Sequence, residues 1–138
     1  MLFRTLLRKP LLIYIGTIIW FALMFYGTLK PSSSLPKISI PHLDKLIHFL
    51  MFLGAAFLVM LWRTVKKKSQ KEFKQSAHSA IVVSFITGLG IELLQSTAFI
   101  QRGFEWADLL FDMLGAMAGV YLFAKVVIPY IISPKIEP

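Results

Sequence analysis

Residues 10–29 read PLLIYIGTIIWFALMFYGTL, twenty positions without a charged side chain. A helix rises about 1.5 Å per residue, so the stretch is long enough to cross a hydrocarbon core of about 30 Å. Arg4, Arg8 and Lys9 precede it, as they would in the n-region of a signal peptide. The apolar run is long for an h-region and no clear small-x-small cleavage site follows it, so a retained helix is the expectation.

Outward from this stretch, three more apolar segments follow, at about 44–62, 78–98 and 107–127. The breaks between them are clear. Residues 30–43 form a first loop; its stretch 30–41, KPSSSLPKISIP, is serine-rich and carries three prolines, so it cannot be helical throughout. Residues 63–77 form a basic, water-facing loop, and residues 99–106 a short turn around Gly103. Composition agrees. Of 138 residues, 57% are hydrophobic and 16% charged, with a mean hydropathy of +0.70. Soluble domains sit nearer 45–50% apolar and about 25% charged, so the excess points to lipid. The length allows one domain.

The net charge of +8 does not point to nucleic acid, because the basic residues cluster in one loop between apolar segments. There are no cysteines, which excludes a disulfide framework and thiolate chemistry. The Lys and Arg count sets the orientation. One side holds eleven: Arg4, Arg8, Lys9, Arg63, Lys66, Lys67, Lys68, Lys71, Lys74, Lys125 and Lys135. The other holds four: Lys30, Lys37, Lys45 and Arg102. The richer side is expected to be cytoplasmic, with both termini inside, 30–43 outside and the basic loop against anionic lipid.

Most acids go the other way. Asp44, Glu92, Glu105, Asp108 and Asp112 fall at or near the outer side, with His42, His48, Gln95 and Arg102. A charge inside a span costs about 2.5–3.5 kcal/mol at mid-membrane on insertion scales, so several in one layer need a shared reason. Residues three or four apart share a helix face. Asp44, His48, Met51 and Ala55 line up on the second span. Gly88, Glu92 and Gln95 line up on the third, and Asp108, Asp112, Gly115 and Gly119 on the fourth. Each stripe is polar at one end and small at the other. Gly88 and the Gly115-x-x-x-Gly119 spacing let backbones approach, so these faces should meet each other in a tight bundle. The polar ends would then line an outer-leaflet pocket. Span one lacks such a stripe and reads as a brace.

The layer admits several chemistries. It can be a structural network, with Asp108 and Asp112 favoured by the helix dipole, Asp44 paired with His48, and Glu92 paired with Arg102 or Lys45. It can recognise an anion, since two helix N-termini, Lys45 and Arg102 face it. Five acids against two bases oppose a bare phosphate unless some are paired or protonated. It can support acid/base or metal-assisted work through His48, Glu92 and Asp108, with Asp112 as a further ligand, although no metal-ligand motif such as HExxH is present and no metal is assigned. Ser96 lies nearby, but a serine in a membrane helix usually bonds backbone. A transporter role has no internal repeat in its favour.

Asp44-Lys45-x-x-His48-Phe49, Glu92-x-x-Gln95, Arg102 in the short loop, and Asp108 followed by Gly115-x-x-x-Gly119 together resemble the VanZ-like family over roughly residues 42–123. Asp112 departs from the pattern, where members often carry Asn. The resemblance implies a cell-envelope membrane protein, and a link to low-level resistance to teicoplanin, a glycopeptide acting on cell-wall precursors outside the membrane. It names no reaction.

The expectation is therefore an all-α membrane protein of four transmembrane helices in the bacterial cytoplasmic membrane. Its pocket of Asp44, Lys45, His48, Glu92, Gln95, Arg102, Asp108 and Asp112 would bind a polar lipid headgroup or lipid-linked precursor. Membrane lipids are the expected partners, with no nucleic acid and no cofactor. The alternatives are a membrane enzyme acting on lipid phosphates, with His48, Glu92 and Asp108 as its candidate catalytic groups, and a structural network or small transporter subunit. Oligomeric state and whether the chain is an enzyme stay open.

Overall fold

The computed structural model describes residues 9–31, 42–64, 69–97, 99–100 and 102–132. The described residues form five helices: α1 (Pro10–Thr28), α2 (Leu43–Thr64), α3 (Gln70–Gln95), α4 (Trp106–Val126) and the short α5 (Ile128–Ile132). The first four are long and apolar enough to cross a membrane, as the sequence predicts. Most of the first loop (32–41) and residues 65–68 of the basic loop, with Arg4, Arg8 and Lys135, lie outside the described residues.

Local signals set the helix ends. Pro10 opens α1, where its missing N–H costs nothing. Ser69 opens α3 through a capping box: its hydroxyl accepts the Glu72 N–H at 3.3 Å, and its own N–H donates to the Glu72 carboxylate at 3.2 Å. α3 therefore begins inside the segment whose charge reads as loop. At 26 residues it is about 39 Å long, so its first turns extend past a hydrocarbon core. It stops at Gln95, short of 98, which leaves Glu92 in its last turn. Gly103, at φ +79°, takes the left-handed turn between α3 and α4 that a side chain would resist.

The helices alternate in direction. Lys9, Arg63, Lys71, Lys74 and Lys125 gather at one end, the basic end. The ends of α1 and α3 and the starts of α2 and α4 share the other, the polar end.

The contact between α2 and α4 is the most extensive in the bundle. Gly115 and Gly119 create it. A Cβ at Gly115 would strike the Phe49 carbonyl, and one at Gly119 the Leu53 carbonyl. Backbone thus lies on backbone, the close approach expected from the small stripe. Around this seam two apolar clusters are buried. Met24, Phe52, Ala55 and Ile91 lie toward the polar end. Ile13, Ala56, Met60, Ala80, Ala116 and Phe123 lie toward the basic end.

The outer surface is apolar: Leu11, Ile18, Leu23, Leu50, Ile86, Leu110 and Tyr121 are among many exposed large side chains. A face of that size suits lipid, not water. α1 docks on α2 through Trp20, whose ring covers Gly54 and whose indole N–H donates to the Met51 carbonyl at 3.0 Å. It is a brace, as its sequence implies, but it also reaches the polar layer.

Candidate functional site

The polar end of the bundle holds a layer of ionisable side chains built by four helices. The stripe on α2 turns His48 inward, 2% exposed. α4 presents Asp108 and Asp112, 4% and 0% exposed, and α3 presents Glu92 and Gln95, at 0% and 1%. The three faces meet as their sequence periods predict.

His48 Nδ1 lies 2.9 Å from Asp112 Oδ1. Its Nε2 faces Asp108 Oδ2 at 3.8 Å, too far for a hydrogen bond. The imidazole is thus paired across the α2–α4 seam and not with Asp44, the i−4 neighbour that sequence spacing favours. Asp44 sits at the half-exposed mouth of α2 and turns to Lys45, with Oδ2 at 2.7 Å from the ammonium. Gly88 has a specific part in this arrangement. A Cβ there would stand 2.7 Å from Asp112 Oδ2, so its missing side chain is the space the carboxylate fills.

Lys45 is the hub of the outer part. Its ammonium contacts Asp44, Asp108 at 2.7 Å and Glu105. One cation is thus shared among three carboxylates, which lowers the repulsion that five acids in one layer would otherwise produce.

Glu92 pairs with neither Lys45 nor Arg102. Its Oε2 accepts the backbone N–H of Glu105 at 2.9 Å, tying α3 to the N-cap of α4. Its Oε1 is buried with no hydrogen-bond partner among the described residues, as is Asp112 Oδ2. Gln95 and Arg102 both donate to the carbonyl of Thr28 at the end of α1, at 2.8 and 3.1 Å. A carbonyl in the last turn of a helix has no partner within it, so the brace ends on two side chains of the layer.

All eight expected site residues therefore lie at the polar end, and Asp44, Lys45, His48, Asp108 and Asp112 form one continuous network. Two members lie outside the expected pocket: Glu105, read only as one of the outer-side acids, and Thr28. Glu105 lies three residues before Asp108, a spacing that signals a shared face at the start of α4. Thr28 contributes only a carbonyl, and no side-chain pattern reports a backbone acceptor. Ser96, as expected, bonds backbone, donating to Leu93 at 2.7 Å.

The layer can move a proton through the His48–Asp112 pair, and it can hold a cation. Two trios offer ligand atoms within 4.8 Å of one another: His48, Glu92 and Asp108, and Asp44, Glu105 and Asp108. A separate cleft of about 410 Å³ opens far from this layer, lined by Thr17, Phe21, Val59, Trp62, Arg63 and Ser79 among others.

The model of the VanZ/LLP1 family matches residues 11–128. The match takes in all four long helices and every residue of the polar layer. No curated protein and no solved structure matches the chain. With the family's model covering most of its length, this four-helix membrane protein belongs to the VanZ/LLP1 family.

Proposed function

We propose that the polar layer binds the anionic headgroup of a lipid, or of a lipid-linked precursor, in the outer leaflet of a bacterial cytoplasmic membrane. Arg102 carries this proposal. It is held by the Thr28 carbonyl and, among the described residues, makes no ion pair. Lys45 by contrast is committed to three carboxylates. Lys30 lies at the same end of α1, over the Tyr26 ring at 4.5 Å. The N-termini of α2 and α4 add their positive dipole ends. An arginine fork suits a phosphate bidentately.

The protein would sit with both termini inside, as the excess of Lys and Arg at the basic end favours. By family membership, the bound molecule would bear on glycopeptide action, and cells expressing the protein would become less susceptible to teicoplanin. His48→Ala and Glu92→Gln should abolish that phenotype while folded protein is retained. Unchanged susceptibility on expression would count against the resistance link.

Lipid binding has its own test. The purified chain is reconstituted in phosphatidylcholine nanodiscs doped with phosphatidic acid, and co-purifying lipid is measured by mass spectrometry. The wild type should enrich the anionic lipid, and Arg102→Gln should lose about tenfold or more of that preference, the worth of a charged hydrogen bond. Equal retention of both lipids by the wild type would sink the proposal. The His48–Asp112 pair favours one second function, an enzyme acting on lipid phosphates by acid/base chemistry. Lipid turnover lost in Asp108→Asn would mark it.

A further inference from the structure

The inner part of the layer has a charge problem that its own side chains do not solve. Glu92, Asp108 and Asp112 are three buried carboxylates around one imidazole. Lys45 reaches only Asp108 among them and shares its charge with Asp44 and Glu105. Arg102 turns away to Thr28. Glu92 is 0% exposed, and its Oε1 has no hydrogen-bond partner among the described residues. A buried carboxyl oxygen left in this way calls for a partner, and a cation supplies one.

The two acidic trios differ in this respect. In Asp44, Glu105 and Asp108 the Lys45 ammonium already supplies the cation. In His48, Glu92 and Asp108, Lys45 reaches only Oδ1 of Asp108, and no lysine or arginine among the described residues pairs with Glu92 or with the Asp108 Oδ2 that faces His48. Each of the three offers one ligand atom, and the atoms lie within 4.8 Å of one another. With cation–ligand distances of about 2.0–2.2 Å, neighbouring ligand atoms stand about 3.0–3.6 Å apart. His48 Nε2 and Asp108 Oδ2, at 3.8 Å, are already close to that spacing. Asp112 completes the pattern. With the proton on Nδ1, His48 donates to Asp112 at 2.9 Å and its Nε2 lone pair is left on the side of Asp108 Oδ2. A carboxylate behind a histidine in this way fixes the tautomer and orientation of a metal ligand.

We propose that His48 Nε2, Glu92 and Asp108 bind one divalent cation of the Zn2+ or Mn2+ type, with Asp112 as the residue that positions the imidazole. One nitrogen and two carboxylate oxygens suit that class of ion. Three protein ligands leave a coordination position open, as catalytic and substrate-binding sites do. A phosphate oxygen of the headgroup would take that position; this last step rests on the proposed function, whereas the cation site stands on the geometry alone. The ion would also offset most of the layer's excess negative charge and place a positive centre where the phosphate oxygen binds.

The purified full chain, stripped with chelator, is titrated with Zn2+ and with Mn2+ by calorimetry, and the bound ion is counted by elemental analysis. About one ion per chain is expected, with binding at least tenfold weaker in His48→Ala and in Glu92→Gln. Asp112→Asn, which keeps an acceptor at Oδ1, should retain the ion, and Asp112→Ala should weaken it about 10–100-fold. Because the variants can lose their fold, X-ray absorption on the zinc-loaded wild type supplies a second measurement, predicted to show a first shell with one imidazole. No stoichiometric ion, a shell without histidine, or undiminished affinity in both folded variants would overturn the site. These measurements contain no lipid, so their failure leaves headgroup binding to its own assay, and failure there leaves the cation site standing.

Discussion

Replacing Gly115 by alanine adds a single methyl group at the tightest point of the bundle. The new Cβ would overlap the Phe49 carbonyl oxygen and stand 2.9 Å from its carbon and 3.0 Å from Phe49 Cα. Carbon atoms prefer about 3.5 Å or more, so α2 and α4 must separate by about 0.6 Å at least. Backbone atoms offer no rotamer by which to escape. Overpacking of this kind costs about 1–3 kcal/mol. The shift also falls one turn from Asp112. Added to the 2.9 Å between His48 and Asp112, it carries that pair to about 3.5 Å, the edge of hydrogen bonding. The total loss should be about 2–4 kcal/mol. Gly16→Ala is the control, since a Cβ there meets nothing within 4 Å. Unfolding of the detergent-solubilised protein, followed by a thermal or denaturant series, measures both. A Gly115→Ala protein as stable as the Gly16→Ala protein would refute the claim that backbone contact holds α2 to α4.

Three other perturbations have defined outcomes. Gly88→Ala would bring a Cβ to 2.7 Å from Asp112 Oδ2 and 3.2 Å from Leu109, so Asp112 must swing away; stability should fall by about 1–3 kcal/mol, with any metal or lipid binding lost, by the same titrations. Lys45→Met leaves Asp44, Glu105 and Asp108 without their shared cation and should cost about 3–5 kcal/mol, seen as lost yield of folded protein. For orientation, a cysteine placed at Ser69 of the naturally cysteine-free chain should resist a membrane-impermeant thiol reagent applied to intact cells, whereas one at Ser33 should react.

Hydropathy and periodicity carry most of the fold. Four spans, the inward polar faces and the Gly115–Gly119 seam are legible because each rests on residue type at helical spacing. What escapes does so for physical reasons. α3 begins early because Ser69 and Glu72 cap it, a local hydrogen-bond pattern present in the sequence but masked by the lysines around it. The partner of His48 is misread as Asp44 because the i,i+4 rule sees one helix only. The inter-helix seam supplies Asp112 instead, and it is the absence of a side chain at Gly88 that leaves room for it. Arg102 is read as a partner for Glu92, yet a backbone N–H takes the glutamate and a backbone carbonyl takes the arginine. Backbone groups at helix ends compete for charged side chains, and they have no signature in residue type.

The central claim is that the stripes of α2, α3 and α4 close on one another, with the His48–Asp112 contact at their centre. Solid-state NMR can test it in lipid, on a chain with ¹⁵N-labelled histidine and ¹³C-labelled aspartate in which His42 and His78 are replaced by Gln. With Nδ1 and Oδ1 2.9 Å apart, the Asp112 carboxyl carbon should lie within about 4 Å of His48 Nδ1 and give strong dipolar dephasing of that nitrogen, which Asp112→Asn cuts back to the contribution of Asp108 on the Nε2 side. No dephasing beyond that of the Asp112→Asn protein would contradict the account.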